Sequence, residues 1–161
     1  MSEKDTISIA IELFQKAYNF QMNNDFDLAI EYYKRSIEVY PTAEAYTFLG
    51  WTYSFQGKLQ EAISECKKAI NIDPDFGNPY NDIGAYLIEL GNYDEAIPWL
   101  EKATNAKRYE PKHYPHFNLG RVYLIKEMIN KALEEFHKSL EHYPDYPLAR
   151  EAVDKIKLSL N

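Results

Sequence analysis

The sequence predicts an all-α solenoid, in which antiparallel helix hairpins stack side by side, and three recurrences predict it. Tyr46-x-x-Leu49-Gly50, Tyr80-x-x-Ile83-Gly84 and His116-x-x-Leu119-Gly120 repeat one pattern, with their glycines 34 and 36 positions apart. Twelve residues beyond each glycine stands an alanine: Ala62, Ala96 and Ala132. Pro41, Pro74 and Pro144 close most of the units. A period in this range marks stacked supersecondary units, because one amphipathic hairpin cannot bury its apolar face alone and must share it with its neighbours.

Each unit carries its own signals. The first, about residues 10–42, places Leu13, Ala17, Phe20, Ala29 and Tyr33 in the matching slots. Ala17 replaces the glycine there, so its two helices are expected to sit slightly further apart. The second, about 43–76, contains Ala45–Tyr53 (AYTFLGWTY), apolar at helical spacing with Gly50 in its middle. A helix-interior glycine costs roughly 1 kcal/mol relative to alanine. The return expected for that cost is close packing, with Ala62, Ala96 and Ala132 as the flat surfaces opposite the three glycines. The third unit, about 77–112, has no proline at Arg108 and about two extra residues before the fourth. Its Asn92–Glu95 segment (NYDE) spells a capping box, and Pro98 removes one N–H early in the second helix. The fourth, about 113–146, has Glu127 where Gly57 and Gly91 mark the turn between helices. Pro79, Pro115 and Pro147 stand near helix starts, where proline is tolerated. Pro147–Asn161 forms a last helix, whose alternating apolars and Lys155 and Lys157 suit the covering of an exposed end.

Composition narrows the function classes. The 161 residues suit one domain, 1–161, with 45% apolar and 27% charged residues. A net charge of −7, from 25 acids and 18 bases, argues against a general nucleic-acid or anionic-membrane binder. No apolar run approaches the ~18 residues of a membrane span, so no membrane insertion is expected. The MSEKDTISIAIELF start does not read as a signal peptide. Cys66 is the single cysteine, which rules out an internal disulfide and suits a reducing compartment. A cytoplasmic location is the expectation.

The spacing resembles the tetratricopeptide repeat family, whose unit reads W-x2-L-G-x2-Y…A-x3-F…P. Tyr46, Leu49, Gly50, Tyr53, Ala62, Cys66, Ala69 and Pro74 match it best. The resemblance implies a right-handed superhelical solenoid of about four units plus a C-terminal capping helix. It also implies a non-enzymatic protein-interaction module, an adaptor or scaffold, with a concave groove lined by one stripe of each first helix. Trp51 lies about a third of a turn from the face that Tyr46, Leu49, Gly50 and Tyr53 share, which is that stripe. Carried over position by position, the groove residues are Tyr18 from the first unit and Trp51 and Phe55 from the second. The third contributes Asn78 and Asn81, and the fourth Tyr114, Phe117 and Arg121.

That set has a chemical character. Tyr, Trp and Arg are enriched at binding hot spots, and an Asn amide can pair with both N–H and C=O of an extended backbone. An aromatic wall with amide anchors suits a neutral or apolar peptide, or a partner helix. Phe14, Phe55, Ile88 and Leu124 fit equally between neighbouring repeats, and Asn78 can serve its own helix's first turn. Some members of the family grip a peptide's C-terminal carboxylates with Lys, Asn and Arg. The corresponding slots hold Phe14, Tyr18, Phe48, Asn78 and Asp82, or one repeat further on Thr47, Trp51, Asp82, Tyr114 and Asn118. Neither frame offers the cations, so that clamp is not expected, and Arg121 alone is left to meet an acidic group. A second reading is a self-associating structural protein that uses the same groove or the terminal helix.

Catalytic and metal chemistry has little to stand on. Cys66 falls in an apolar slot and reads as a buried structural thiol. His113 and His116 are three apart but lack a third clustered ligand, and His137 and His142 read as surface residues, so no metal or cofactor is expected. Glu134–Glu135 and Asp94–Glu95 read as solvated or capping faces, and no phosphate-binding glycine loop or Ser/His/Asp order occurs. Lys107, Arg108 and Lys112 form a small basic loop between the third and fourth units.

Overall fold

The computed structural model describes residues 1–161 as nine α-helices without a sheet. They are α1 (Glu3–Met22), α2 (Phe26–Val39), α3 (Ala43–Phe55), α4 (Leu59–Ile72) and α5 (Asn78–Glu89), then α6 (Tyr93–Asn105), α7 (His113–Ile125), α8 (Ile129–His142) and α9 (Pro147–Leu160). Four hairpins, α1/α2 to α7/α8, stack in chain order, and α9 packs on α8. The odd-numbered helices also touch in sequence, α1–α3–α5–α7, which lays them side by side along one face of the solenoid. No helix is long and apolar enough to cross a membrane.

The helix ends follow local chemistry. α1 starts at Glu3, well ahead of the repeat register, because Ser2 and Asp5 form a reciprocal capping box. The Asp5 N–H donates to Ser2 Oγ at 3.2 Å and the Ser2 N–H to Asp5 Oδ2 at 3.0 Å. Thr42, in extended backbone, caps α3 by accepting from the Ala45 N–H at 3.1 Å. The capping box expected at Asn92 does not form. Asn92 sits at φ −90°, ψ 63°, as do Asp25, Lys58 and Met128 within a few degrees, and none of the four makes a side-chain cap bond. That ψ lies away from the extended range in which a cap side chain reaches back to the first turn. The residue before the cap-preceding turn takes a left-handed conformation in every unit: Asn24 at φ 61°, Gly57 at 73°, Gly91 at 78° and Glu127 at 60°. Glu127 therefore adopts the glycine geometry without being glycine.

The close approach expected at the repeated glycines is present, but its partner differs from the expected alanine. A Cβ on Gly120 would stand 2.5 Å from Phe136 Cε1, and one on Gly84 would stand 2.5 Å from Leu100 Cγ. Only at Gly50 does the alanine unit oppose the glycine, through the Ala62 carbonyl oxygen at 2.9 Å, with Cys66 Sγ at 3.2 Å. The glycine thus makes room for the side chain sixteen residues on, in the large apolar slot of the second helix. In the first unit that slot holds the fully buried Tyr33, with Ala17 in the glycine slot. The alanines Ala62, Ala96 and Ala132 are themselves fully buried. The largest core cluster lies in the middle of the stack around Ile83, Leu87, Leu100, Leu119 and Val122. α9 closes the far end by burying Val153 and Ile156 against Ala132 and Phe136.

Candidate functional site: a groove across three repeats

The two extra residues between the third and fourth units build part of the site. The segment after α6 folds back on the loop before α5, where the Arg108 N–H donates to the Asp75 carbonyl (3.0 Å) and the Gly77 N–H to the Arg108 carbonyl (3.1 Å). These bonds make an isolated parallel bridge between Phe76 and Arg108. The Arg108 guanidinium pairs with Asp73 (2.5 Å) and Glu44 (3.0 Å) and lies 4.3 Å from the Phe76 ring centroid. Its hydrogen bond holds the Asp73 carboxyl below the usual range. Arg108, read from sequence as part of a free basic loop, is therefore spent on the chain's own acids. Tyr109 packs where any side chain on Gly77 would lie, and is buried.

Tyr109 and Pro111 form one wall of a cavity of about 420 Å³ that spans α3, α5 and α7. Thr47, Phe48 and Trp51 of α3 form the opposite wall, and Tyr114 of α7 a third side. Asn78, Asn81 and Asp82 of α5 supply its floor. Trp51 and Tyr114 are partly open to solvent, at 37% and 44% exposure, so their rings present area to an incoming ligand.

The polar floor is organised by one chain of amides. Asn118 Nδ2 donates to Asn81 Oδ1 at 3.0 Å, and Arg121 donates to Asn118 Oδ1 at 3.2 Å. Both asparagines are buried, so these bonds hold them in place across α5 and α7. Beside them burial pushes the Asp82 carboxyl up to about 7, against a smaller opposing effect of the Asn81 amide. Burial likewise raises the Tyr109 hydroxyl, the Tyr86 hydroxyl and the Cys66 thiol, each further raised by the Asp82 charge. Cys66 is a buried free thiol behind the floor.

Of the residues expected in the groove, Trp51, Asn78, Asn81 and Tyr114 meet in this cavity. Tyr18 lies on the α1 side of it, edge-on to Phe48 at 5.9 Å. Phe55 is 52% exposed and stacks on Phe26 of the first unit at 5.4 Å, so it packs between the first two repeats while also extending the Trp51 aromatic surface. Phe117 turns toward Phe136 and Tyr146, at 5.7 and 5.4 Å, on the side of the capping helix. Arg121 reaches the floor through Asn118. Ile88 is core, Phe14 packs partly buried against Tyr33 and Phe48, and Leu124 is 36% exposed. His113 and His116 do not converge. His113 packs on Tyr114, Tyr143 and Tyr146, whereas His116 pairs with Glu135 at 2.7 Å and stacks on His142.

Tyr109 and Pro111 are the contributors that sequence patterning missed, and the sequence places Phe48 only in the slots of the carboxylate grip. Phe48 is the hub of the aromatic surface, in contact with Phe14, Tyr18 and Trp51. The length of the third unit announced an insertion but not where its tyrosine would point.

Fold and cavity together define a helical-repeat solenoid with an open cavity shared by α3, α5 and α7. Models of the tetratricopeptide repeat match residues 13–43, 43–76 and 65–97. The chain belongs to the tetratricopeptide repeat family. Hsp70-Hsp90 organizing protein 3 of Arabidopsis thaliana is 31% identical over 126 residues, 78% of this chain and 22% of that protein. The chain spans only 22% to 25% of the length of the first curated relatives it matches. A solved structure of Pseudomonas aeruginosa pilF superposes with a TM-score of 0.90 at 22% identity, over 96% of this chain and 70% of that one. A second, YrrB, described as a TPR protein with an unusual peptide-binding site, gives 0.72 at 20% identity, over 90% and 74%.

Proposed function

We propose that the chain is a non-enzymatic adaptor that binds an extended segment or a helix of a partner protein in the α3–α5–α7 groove. The observation that carries this reading is the cavity itself, with exposed aromatic rings above a floor of tethered amides. Rings held by their neighbours lose little side-chain freedom on binding, so a preformed groove of this kind binds at low reorganisation cost. The family relationship supports a protein partner, and YrrB's peptide site lends the same support to a peptide ligand. The two-carboxylate grip of some relatives does not suit this groove, because Asp82 stands in a slot that such a grip fills with a cation. A cytoplasmic setting agrees with the single reduced thiol.

The test is an affinity pull-down from source-cell lysate with the wild type beside Trp51→Ala and Trp51→Ala/Asn81→Ala variants, each first shown to keep its helicity and melting temperature. A distinct protein retained by the wild type and lost by the variants supports the groove. The same partner retained by all three places the interaction elsewhere. One observation favours self-association as a second reading: Leu148, Leu158 and Leu160 of the end helix are apolar side chains at 50%, 75% and 67% exposure. Sedimentation coefficients that rise with protein concentration would support it.

A further inference from the structure

We propose that the groove selects a partner segment carrying a lysine or arginine side chain, whose charged head meets the Asp82 carboxylate between the rings of Trp51, Tyr109 and Tyr114. The inference rests on the groove being the partner site. Its first support is an unmatched charge. Asp82 lies in the cavity floor, Arg108 is paired with Asp73 and Glu44, and Arg121 hydrogen-bonds the Asn118 amide rather than the Asp82 carboxyl. No cation of the chain lowers the Asp82 carboxyl; only the Asn81 amide does. A neutral segment laid over the floor would seal an uncompensated carboxylate away from water, which is costly. An acidic segment would add like charge. A cationic side chain removes the mismatch.

The second support is the wall chemistry. Aromatic faces attract lysine and arginine heads through their quadrupoles, and the long methylene stem of either residue packs on the same rings. Trp51 and Tyr114 are solvent-open rings lining the same cavity as this carboxylate, and the buried Tyr109 lines it too. The overall charge of −7 adds a long-range pull in the same direction.

Binding should then depend on pH. An ordinary Asp carboxyl is fully ionised at neutral pH, but burial brings that of Asp82 up to about 7, so lowering the pH protonates the empty site and weakens cation binding. The other ionisable groups around it do not mimic this. Cys66 of α4, Tyr86 of α5 and Tyr109 of the insertion are raised and stay neutral, Glu44 of α3 is paired with Arg108, and Arg121 of α7 donates to Asn118. His113 of α7 is held below its usual range by burial, with the nearby His142 acting in the same direction. Lys112 stands immediately before α7.

The experiment titrates the full chain with three acetylated, amidated peptides, Phe-Ala-Z-Ala-Phe, with Z as lysine, norleucine or glutamate. Binding is read from the indole N–H resonance of Trp51, assigned with Trp51→Phe. The expected result is saturation by the lysine peptide at least tenfold tighter than by norleucine or glutamate, weakening about tenfold from pH 8 to pH 6. Asp82→Asn should erase both the preference and the pH dependence while leaving the fold intact by circular dichroism. Norleucine or glutamate peptides that bind at Trp51 as tightly as lysine would overturn the charge selection and leave the groove standing. Peptides that bind and shift other resonances but not Trp51 would overturn both. Absence of binding by the lysine peptide up to millimolar concentration overturns the charge selection, and the pull-down then decides the groove separately.

Discussion

Replacing Gly120 by alanine should destabilise the chain, although alanine is the better helix former. A Cβ at residue 120 would lie 2.5, 2.6 and 2.9 Å from three carbons of the Phe136 ring. That ring is 1% exposed and wedged among Ala132, Val153, Ile156 and Phe117, so it has nowhere to swing. Overpacking of a filled core costs about 1–3 kcal/mol, and three short contacts on a trapped ring put this case near the upper end. The gain in helix propensity is roughly 1 kcal/mol, which leaves a net loss of about 2 kcal/mol. At this chain length that lowers the melting temperature by about 4–8 °C. The assay is thermal and urea unfolding followed by circular dichroism, run as a double-mutant cycle with Phe136→Ala. In the Phe136→Ala background the clash is gone, so Gly120→Ala should become neutral or stabilising by up to ~1 kcal/mol. If Gly120→Ala raises the melting temperature of the otherwise wild-type chain, the close-packing account of the repeated glycine is wrong.

Two further stability predictions follow from the groove floor and the last turn. Burial raises the Asp82 carboxyl to about 7, far above its unfolded value, so the folded chain binds this proton more tightly than the unfolded chain does. Its contribution to stability is therefore present at pH 4 and lost as pH rises through 7. Asp82→Asn should stabilise the chain by about 2–4 kcal/mol at pH 8 and by much less at pH 4.5 in urea unfolding, and parallel profiles for the two proteins would refute this. Glu127 stands at φ 60°, a conformation that costs a non-glycine residue roughly 1–2 kcal/mol. After the larger backbone entropy of glycine is counted, Glu127→Gly should gain about 0.5–1 kcal/mol, and an unchanged unfolding midpoint would contradict it.

The repeat period was legible because it is a packing period: every unit must present the same small-residue slot to the same large-residue slot. What the linear pattern does not encode is which pair of slots meet. Ala62, Ala96 and Ala132 looked like the partners of the glycines, yet Leu100 and Phe136 fill the space, because the hairpin turn sets the stagger between helices. The Asn92 cap failed for a related reason. The tight turn fixes its ψ near 63°, and backbone geometry overrides a favourable side-chain sequence. α1 ran further than the repeat predicted because its start is governed by Ser2 and Asp5, outside the period altogether. For the groove, the stripe argument found Trp51, Asn78, Asn81 and Tyr114, which project from regular helices at regular positions. Tyr109 was beyond its reach, since its place depends on a single bridge between two loops, Phe76 with Arg108.

The same contrast separates what makes this chain a solenoid from what makes its groove particular. Residues that obey the repeat are buried by neighbours that also obey it, and their identities are explained by packing alone. Asp82 is not explained that way. A half-buried carboxylate without a cation weakens the fold, and an asparagine of nearly the same shape would remove the mismatch. Tyr109 depends on an insertion that the stack itself does not require, held by an arginine that spans Glu44 and Asp73. Both departures converge on one cavity, although Tyr109 also packs in a small core cluster with Ala103 and Ala106. Features that cost stability and meet at an open site are those that binding can account for. The family relationship therefore bounds the architecture, whereas the departures from the repeat, Asp82 and the Tyr109 insertion, are what distinguish this cavity.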